Sequence, residues 1–248
     1  IERGATILFT SWYTLTVNGT LSAKGQEDAP ILFTADNSWV GIRFIGASDN
    51  SVLDNVIVEK GQASGAAPYD RGGGIYVINS SPTIINSTIR DNYAKYVGGG
   101  IYLENSDALL EGNIIEFNNV GVGPSAAGGG IAVVNSTAEL INNVIADNYV
   151  YVAGTYSTPT GVGGGIYISS SDLELSGNLL LGNSLVWGGQ VRVRGGAIYT
   201  SSSEVLFVNN TLVKNTAGTG GGVYVHHEGD GIYIASGDVK LVNNILWK

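Results

Sequence analysis

The residues best suited to acid–base chemistry lie near the C-terminal end of this 248-residue chain. Arg192 and Arg194 end one variable segment of the sequence, and His226, His227 and Glu228 end the next. A base, an acid and a cation held together would suit elimination or hydrolysis of a polysaccharide. Alternatively, the same five residues could simply belong to two polar loops that face solvent. These five residues are therefore candidates for catalysis, without a committed role.

The residue pattern does not favour metal or cofactor chemistry. The chain has no cysteine and two histidines, and the His226–Glu228 spacing matches no strong metal-ligand motif. The nearest acidic group, Asp49, Asp54 and Glu59, is better interpreted as solvated strand edges. We therefore predict no metal site and no cofactor.

A second candidate is a line of tyrosines at one position of a repeated pattern, interrupted by Ala132. Its members are Tyr76, Tyr102, Tyr167, Tyr199 and Tyr233. Each tyrosine lies between two apolar positions of a predicted strand, so we expect the rings to point outward. The line could stack sugar rings, or it could be a surface ladder of aromatic pairs that stabilises the sheet.

Further aromatic residues occur in the variable segments between the repeats. All these segments enter at the same place in the repeat, so they leave one edge of the molecule, which is how repeat proteins build binding faces. Loops do not need aromatic residues for stability, and exposed aromatic patches usually mark contacts. The predicted ligand-binding residues are Tyr76, Tyr102, Tyr151, Tyr156, Tyr167, Trp187 and Tyr199.

A 21-residue unit must position these side chains. Residues 72–92 read GGGIYVINSSPTIINSTIRDN, and the unit returns at Gly98, Gly128, Gly163, Gly195 and, shortened, Gly229. Its apolar positions alternate at the strand period over runs too short for a helix. Stacked copies would pair as parallel ladders about 4.8 Å apart. We predict an all-β, right-handed parallel β-helix of about eight rungs.

Asparagine recurs in two columns of this repeat. One column holds Asn92, Asn118, Asn148, Asn183 and Asn215, and the other holds Asn113, Asn143, Asn178, Asn210 and Asn244. Amide side chains could ligate a metal or a sugar. Turn geometry and stacked amide ladders explain the columns more simply.

The chain is predicted to form one domain, with divergent rungs over residues 1–71 and regular rungs over residues 72–248. The segments IERGATILF, LTVNGTLSAKG, PILFTA and WVGIRF resemble the opening rungs of secreted bacterial β-helix proteins of the pectate-lyase-like superfamily. The units ending in IRDN, IEFN, IADN and LLGN, each followed by GGGIY or GGAIY, resemble the FxxN and GGA[IL] repeats of polymorphic outer membrane proteins. The resemblance implies the fold and export to the cell surface or beyond. It does not select a function, because such repeats occur in adhesins, autotransporter passengers and enzymes. The NTD, DD and GHG signatures of polygalacturonase-like sequences are absent.

The negative charge of the chain limits the kinds of partner that it can bind. The net charge is −9, and no Lys or Arg lies between Lys95 and Arg192, which argues against nucleic acid and anionic membranes. No apolar run is long enough to insert into a membrane as a helix. The strand edge after the last rung would be open, so we expect the chain to be a fragment of a longer one or end-to-end self-association to cover that edge.

These observations lead to three hypotheses. The first is a non-catalytic, adhesin-like β-helix module, extracellular or on a bacterial cell surface, that binds a neutral glycan or a partner surface through its aromatic edge. The second is a polysaccharide lyase or glycoside hydrolase with a site at the C-terminal edge. The third is a structural unit that stacks end to end in an extracellular filament or stalk.

Overall fold

The computed structural model describes residues 1–121, 125–153, 160–188, 191–219 and 225–247. Within these ranges every regular element is a β-strand, and the named strands pair in parallel. The chain winds as a parallel β-solenoid, so the predicted fold class is confirmed. The turns pass through up to five sheets in a constant order, which we name A, D, E, B and C.

Sheet A is the longest sheet, and we number its strands along the chain. It contains β1 (Thr6–Phe9), β4 (Ile31–Ala35), β7 (Val56–Glu59), β11 (Thr88–Arg90), β15 (Ile114–Glu116), β20 (Val144–Ala146), β25 (Leu179–Leu181), β30 (Thr211–Val213) and β35 (Ile245–Trp247). Its successive strands come from successive turns, so each strand lies about 4.8 Å from its neighbours.

Sheets B and C complete the main coil. Sheet B contains β2 (Thr14–Val17), β5 (Gly41–Ile45), β9 (Ile75–Ile78), β13 (Ile101–Glu104), β18 (Ile131–Val134), β23 (Ile166–Ser169), β28 (Ile198–Ser201) and β33 (Ile232–Ile234). Sheet C contains β3 (Ser22–Lys24), β6 (Val52–Asp54), β10 (Thr83–Ile85), β14 (Leu109–Glu111), β19 (Glu139–Ile141), β24 (Asp172–Ser176), β29 (Ser203–Val208) and β34 (Gly237–Val242).

Sheets D and E are built from the variable segments. Sheet D contains β8 (Gln62–Ala63), β12 (Tyr93–Ala94), β16 (Asn119–Val120), β21 (Tyr149–Ala153), β26 (Ser184–Gly188) and β31 (Thr216–Thr219). Sheet E contains β17 (Ser125–Ala127), β22 (Thr160–Val162), β27 (Val191–Arg194) and β32 (Val225–Glu228). Among the described residues, sheets A, B and C have nine, eight and eight strands, but sheet D has six. Six turns therefore include sheet D, fewer than the eight rungs expected.

The main core is formed by the predicted inward columns. On sheet B, Ile75, Ile101, Ile131 and Ile166 stand in register on four successive turns, and all four are fully buried. The same residue type recurs at the same place on each turn. The same side-chain packing is therefore repeated along the axis, and each turn packs on the next in the same way.

The asparagine columns are turn ladders. Asn118 Nδ2 donates to Oδ1 of Asn148 on the next turn (3.0 Å) and to the carbonyl of Ile89 (2.8 Å). Asn113 and Asn143 repeat this arrangement at the other corner. These amides are buried and bonded within the turns, which confirms the turn interpretation.

The ion pair of Glu59 provides a pH-dependent test of the fold. Arg90 Nη2 lies 2.9 Å from the Glu59 carboxylate, and Thr34 donates to the same group. Burial raises the pKa of Glu59, but the hydrogen bonds from Thr34 and Arg90 outweigh it, so the pKa lies below its ordinary value. This stabilisation is present above the unfolded-state pKa of about 4.3 and is lost as the pH falls through the folded-state value. Glu59→Gln is expected to cost about 1 kcal/mol at about pH 7.

The measurement is urea unfolding of both proteins at about pH 7 and about pH 3, the lower pH being chosen to protonate much of the wild-type carboxylate. The cost should shrink clearly at the lower pH. An equal cost at both pH values would contradict the role of the ionised carboxylate.

Candidate functional site

The variable segments form an ordered second layer beside the main coil. Sheets D and E pack against each other around their own small core, and we call these two sheets the wing. The wing core consists of Ala63, Ala94, Val120, Ala126, Val150, Val152, Leu185, Val193 and Ala217. The described stretches of these segments therefore neither splay apart nor close into a cleft: they stack turn on turn, as the main coil does.

The first half of the tyrosine line is buried. Tyr76 and Tyr102 stand in register, and their rings stack with centroids 5.3 Å apart. They are 3% and 2% exposed. They leave the main core as predicted, but Val97 and Ala132 pack with them in a separate cluster. Their ring faces are not open to a ligand in this conformation.

A buried arginine continues the same column. Arg43 stands in register with Tyr76, and its guanidinium lies 4.9 Å from the centre of that ring and 5.9 Å from the ring of Tyr69. It donates to the carbonyls of Val40 (3.0 Å) and Arg71 (2.6 Å). Burial lowers the pKa of Arg43 to about 10. Arg43 is not among the site residues predicted from the sequence, although its position in the tyrosine column was a usable signal.

A polar network covers the outer end of Tyr102. Arg71 Nη1 donates to the Tyr102 hydroxyl (3.1 Å), which donates to Glu104 Oε2 (2.9 Å), and Arg71 also pairs with the buried Asp70. Burial raises the pKa of Tyr102, and the charge of Glu104 adds to it. The phenol therefore stays protonated and works as a hydrogen-bond donor. We infer that this network holds residues 64–74 against sheet B.

The second half of the tyrosine line is partly exposed. Tyr167, Tyr199 and Tyr233 stack with ring centroids 5.7 and 5.5 Å apart. Arg194 of the wing lies 5.0 Å from the ring of Tyr233. Burial raises the pKa of Tyr199. Tyr167 and Tyr199 thus remain available for contact at their edges, while their inner ring faces are used in stacking.

The wing itself presents aromatic rings. Tyr149 and Tyr151 of β21 are 38% and 37% exposed. Trp187 follows in the neighbouring strand, in register with Val152, but its side chain lies outside what the structure describes. Tyr156 lies wholly outside the described residues. The predicted binding residues are therefore divided between a buried pair and a partly exposed group.

Two exposed aromatic residues near the N-terminus were not predicted as binding residues. Trp12 and Tyr13 are both exposed, and the Trp12 indole donates to the carbonyl of Gln62 at the start of the wing (3.1 Å). The adjacent pair just before β2 was a usable signal, but it lies outside the repeat.

The catalytic candidates lie on two neighbouring strands of sheet E. Arg192 stands in register with His226, and Arg194 with Glu228. His227 stands in register with Val193, a buried residue of the wing core. Successive positions of a strand alternate between faces, so His227 occupies a different column from the arginine positions. The side chains of residues 226–228 lie outside what the structure describes.

Among the described residues, no group of three or more His, Cys, Asp or Glu side chains is arranged to hold a metal ion. The same stretches of the chain contain no helix long and apolar enough to cross a membrane.

Stacked parallel strands, buried asparagine ladders and a lateral wing define a β-helix repeat protein. A family model described as "Right handed beta helix region" matches residues 33–248. The chain belongs to this family. Comparison with curated proteins and with solved structures finds no match for this chain.

Proposed function

We propose that this protein is a non-catalytic, adhesin-like binding module that holds a glycan on the aromatic surface of its wing. The observation that carries the proposal is the exposure of Tyr149 and Tyr151 on a strand of an ordered sheet. A sheet holds its side chains in place before the ligand arrives, so binding costs little conformational entropy.

The chemistry of the surface favours a neutral ligand. The net charge of −9 and the lack of Lys and Arg between Lys95 and Arg192 disfavour polyanions. Tyrosine rings offer an apolar face for a sugar ring and a hydroxyl for its polar edge. A neutral polysaccharide, or a partner surface that displays one, fits these groups.

We further propose that the module is exported, extracellular or on a bacterial cell surface. Its support is the resemblance of the repeats to those of secreted and outer-membrane β-helix proteins. Detection of the native protein in cell-surface and culture fractions, rather than in the cytoplasm, would test this proposal.

The binding test is a depletion assay with insoluble and soluble neutral polysaccharides. Tyr151→Ala is expected to weaken binding about tenfold, or about 1.4 kcal/mol, since it removes a ring contact. Tyr151→Phe keeps the ring and should stay within about threefold of the parent protein. A panel in which nothing binds, or equal binding by Tyr151→Ala, would overturn the wing proposal.

One observation favours an enzyme as the second candidate. The register of β27 and β32 brings the Arg192 and Arg194 positions beside His226 and Glu228. The same mixtures are therefore analysed for shortened chains. Shortening that is lost in both His226→Ala and Glu228→Ala would replace the binding proposal with polysaccharide cleavage. Neither binding nor cleavage would favour the filament hypothesis, for which end-to-end self-association stays a prediction.

A further inference from the structure

The outer face of sheet A is apolar over three successive turns. On β20, β25 and β30 the central residue of each strand belongs to the main core, and the two residues that flank it face outward. The outward residues are Val144, Ala146, Leu179, Leu181, Thr211 and Val213, and we call them the apolar face. All but Ala146 are half-buried. Three turns without an outward charge form a flat apolar patch of the kind that usually marks an interaction surface.

The turns that precede this face are different. Glu59, Arg90 and Glu116 occupy the same outward column on β7, β11 and β15. Arg90 pairs with Glu59 there. The change from charged to apolar residues along one column therefore sets a boundary for the patch.

Two opposite charges lie symmetrically along one edge of the apolar face. Asp147, Gly182 and Lys214 follow the last residues of β20, β25 and β30, and all three have positive φ angles. Asp147 and Lys214 are exposed. Each lies one turn, or about 4.8 Å, from the central Gly182. Along this edge the charge is therefore negative at Asp147, neutral at Gly182 and positive at Lys214.

We propose that a second copy of this chain packs on the apolar face, about a two-fold axis that runs along β25. This operation reverses the order of the turns and keeps the position along each strand. Leu179 and Leu181 then lie opposite their own counterparts, and Val144 lies opposite Thr211. Asp147 lies opposite the partner's Lys214, and Lys214 opposite the partner's Asp147. An isologous interface needs this kind of self-complementarity, and the sequence pattern supplies it.

The alternative two-fold axis in the plane of the face does not give this match. An axis along the solenoid would preserve the order of the turns and reverse the direction along the strands. Asp147 would then lie opposite the corner that holds Asn142, at the other end of the strand. The charge pairing therefore selects the axis along the strands.

The size of the face predicts a weak dimer. The three strands β20, β25 and β30 span about 15 Å, and three residues of each strand span about 10 Å. The resulting area of roughly 150 Å² is well below the roughly 800 Å² per partner of a standard interface. Association should therefore depend strongly on protein concentration.

The first test is sedimentation velocity over a concentration series up to about 1 mM. The parent protein should shift from monomer to dimer across the series. Leu181→Asp should abolish the shift because it buries an unpaired charge at the axis. Its thermal transition is checked to confirm folding. A parent protein that stays monomeric throughout would overturn the proposal and leave the face to another occupant.

Charge-reversal variants test whether Asp147 pairs with the partner's Lys214 across the interface. Asp147→Lys alone, or Lys214→Asp alone, places like charges opposite each other and should weaken association at least several-fold. The double variant restores opposite charges and should recover most of the parent association. Both residue types already occupy this positive-φ column, so the backbone tolerates the exchange. Failure of the double variant to recover would overturn the charge pairing.

Cross-linking tests the position of the axis. The chain has no cysteine, so Leu181→Cys introduces one reactive thiol per chain. A short bifunctional maleimide that spans the roughly 10 Å between packed sheets should link Leu181→Cys dimers efficiently. Leu206→Cys is the matched control, because it is a half-buried leucine on the outer face of sheet C. Equal cross-linking of the two variants would contradict the proposed axis.

Discussion

Gly129→Ala is expected to lower the free energy of unfolding by more than about 3 kcal/mol. A Cβ atom on Gly129 would lie 2.3 Å from the carbonyl oxygen of Gly164 and 2.8 Å from the backbone nitrogen of Tyr149. Both are backbone atoms of neighbouring strands or turns, so neither can swing aside as the end of a side chain could. The variant must either push adjacent turns of the solenoid away from each other or separate the wing from the main coil.

The position of Gly129 explains the size of this effect. It lies where the chain leaves sheet E and returns to sheet B, beside Tyr149 at the start of β21. At this point the backbone of Gly129 lies directly against the backbone of Tyr149 and Gly164. Glycine allows the two backbones to approach without a side chain between them.

The measurement is denaturant unfolding, with Gly19→Ala as the matched control. A Cβ on Gly19 would meet no atom within 4 Å, so that variant should differ from the parent by less than about 0.5 kcal/mol. The close-approach explanation would be wrong if Gly129→Ala unfolded at the same denaturant concentration as the control.

Asn148→Ala is the second large effect, with an expected loss of about 3–5 kcal/mol. Asn148 is fully buried. Its Oδ1 accepts from the backbone N–H and the side-chain amide of Asn118, both at 3.0 Å. Its Nδ2 donates to the carbonyl of Ile115 at 2.8 Å and to Oδ1 of Asn183 at 3.0 Å. Alanine removes all four bonds. Asn118 Nδ2 keeps its bond to the carbonyl of Ile89, and Asn183 Oδ1 keeps its bond from the backbone N–H of residue 148. The Asn118 backbone N–H and the Ile115 carbonyl lose these bonds outright, at about 1–3 kcal/mol for each group left unsatisfied.

The neighbouring turn offers the matched control, Asn119→Ala. Asn119 follows the ladder residue Asn118, and its backbone N–H, rather than its amide side chain, donates to the carbonyl of Asn92. This substitution should change stability by less than about 0.5 kcal/mol. Native-state hydrogen exchange can locate the defect, because the Asn118 amide should lose protection in Asn148→Ala. Equal stability of the two variants would contradict the role of the ladder.

The two predictions concern different regions of the architecture. Asn148 satisfies backbone groups at one corner of the main coil, whereas Gly129 allows the wing to be attached to it. A glycan-binding assay on partly destabilised variants can therefore distinguish a defect in the wing from a defect in the main coil. A defect at Gly129 should impair the wing surface more than a defect of similar size at the ladder.

The sequence alone determined the coil and its internal columns. Ile75, Ile101 and Ile131 can be stacked from their spacing, because a constant repeat of period-two segments allows one simple superposition. Asn118 and Asn148 can be assigned to turns for the same reason. Both inferences depend only on the alternation of apolar and polar residues within a strand and on the constant length of the repeat. Both features can be read directly from the sequence.

Only the tertiary structure decided what the outward residues meet. Alternation indicates that Tyr76 and Tyr102 leave the main core, but the segment between β8 and β9, which carries Arg71, covers them. Tyr151 leaves its own strand in the same way and stays exposed. The apolar face and the Asp147–Lys214 symmetry depend on the register of sheet A. Burial of an outward side chain depends on where irregular segments fold back, and such segments carry no repeat from which their path can be read.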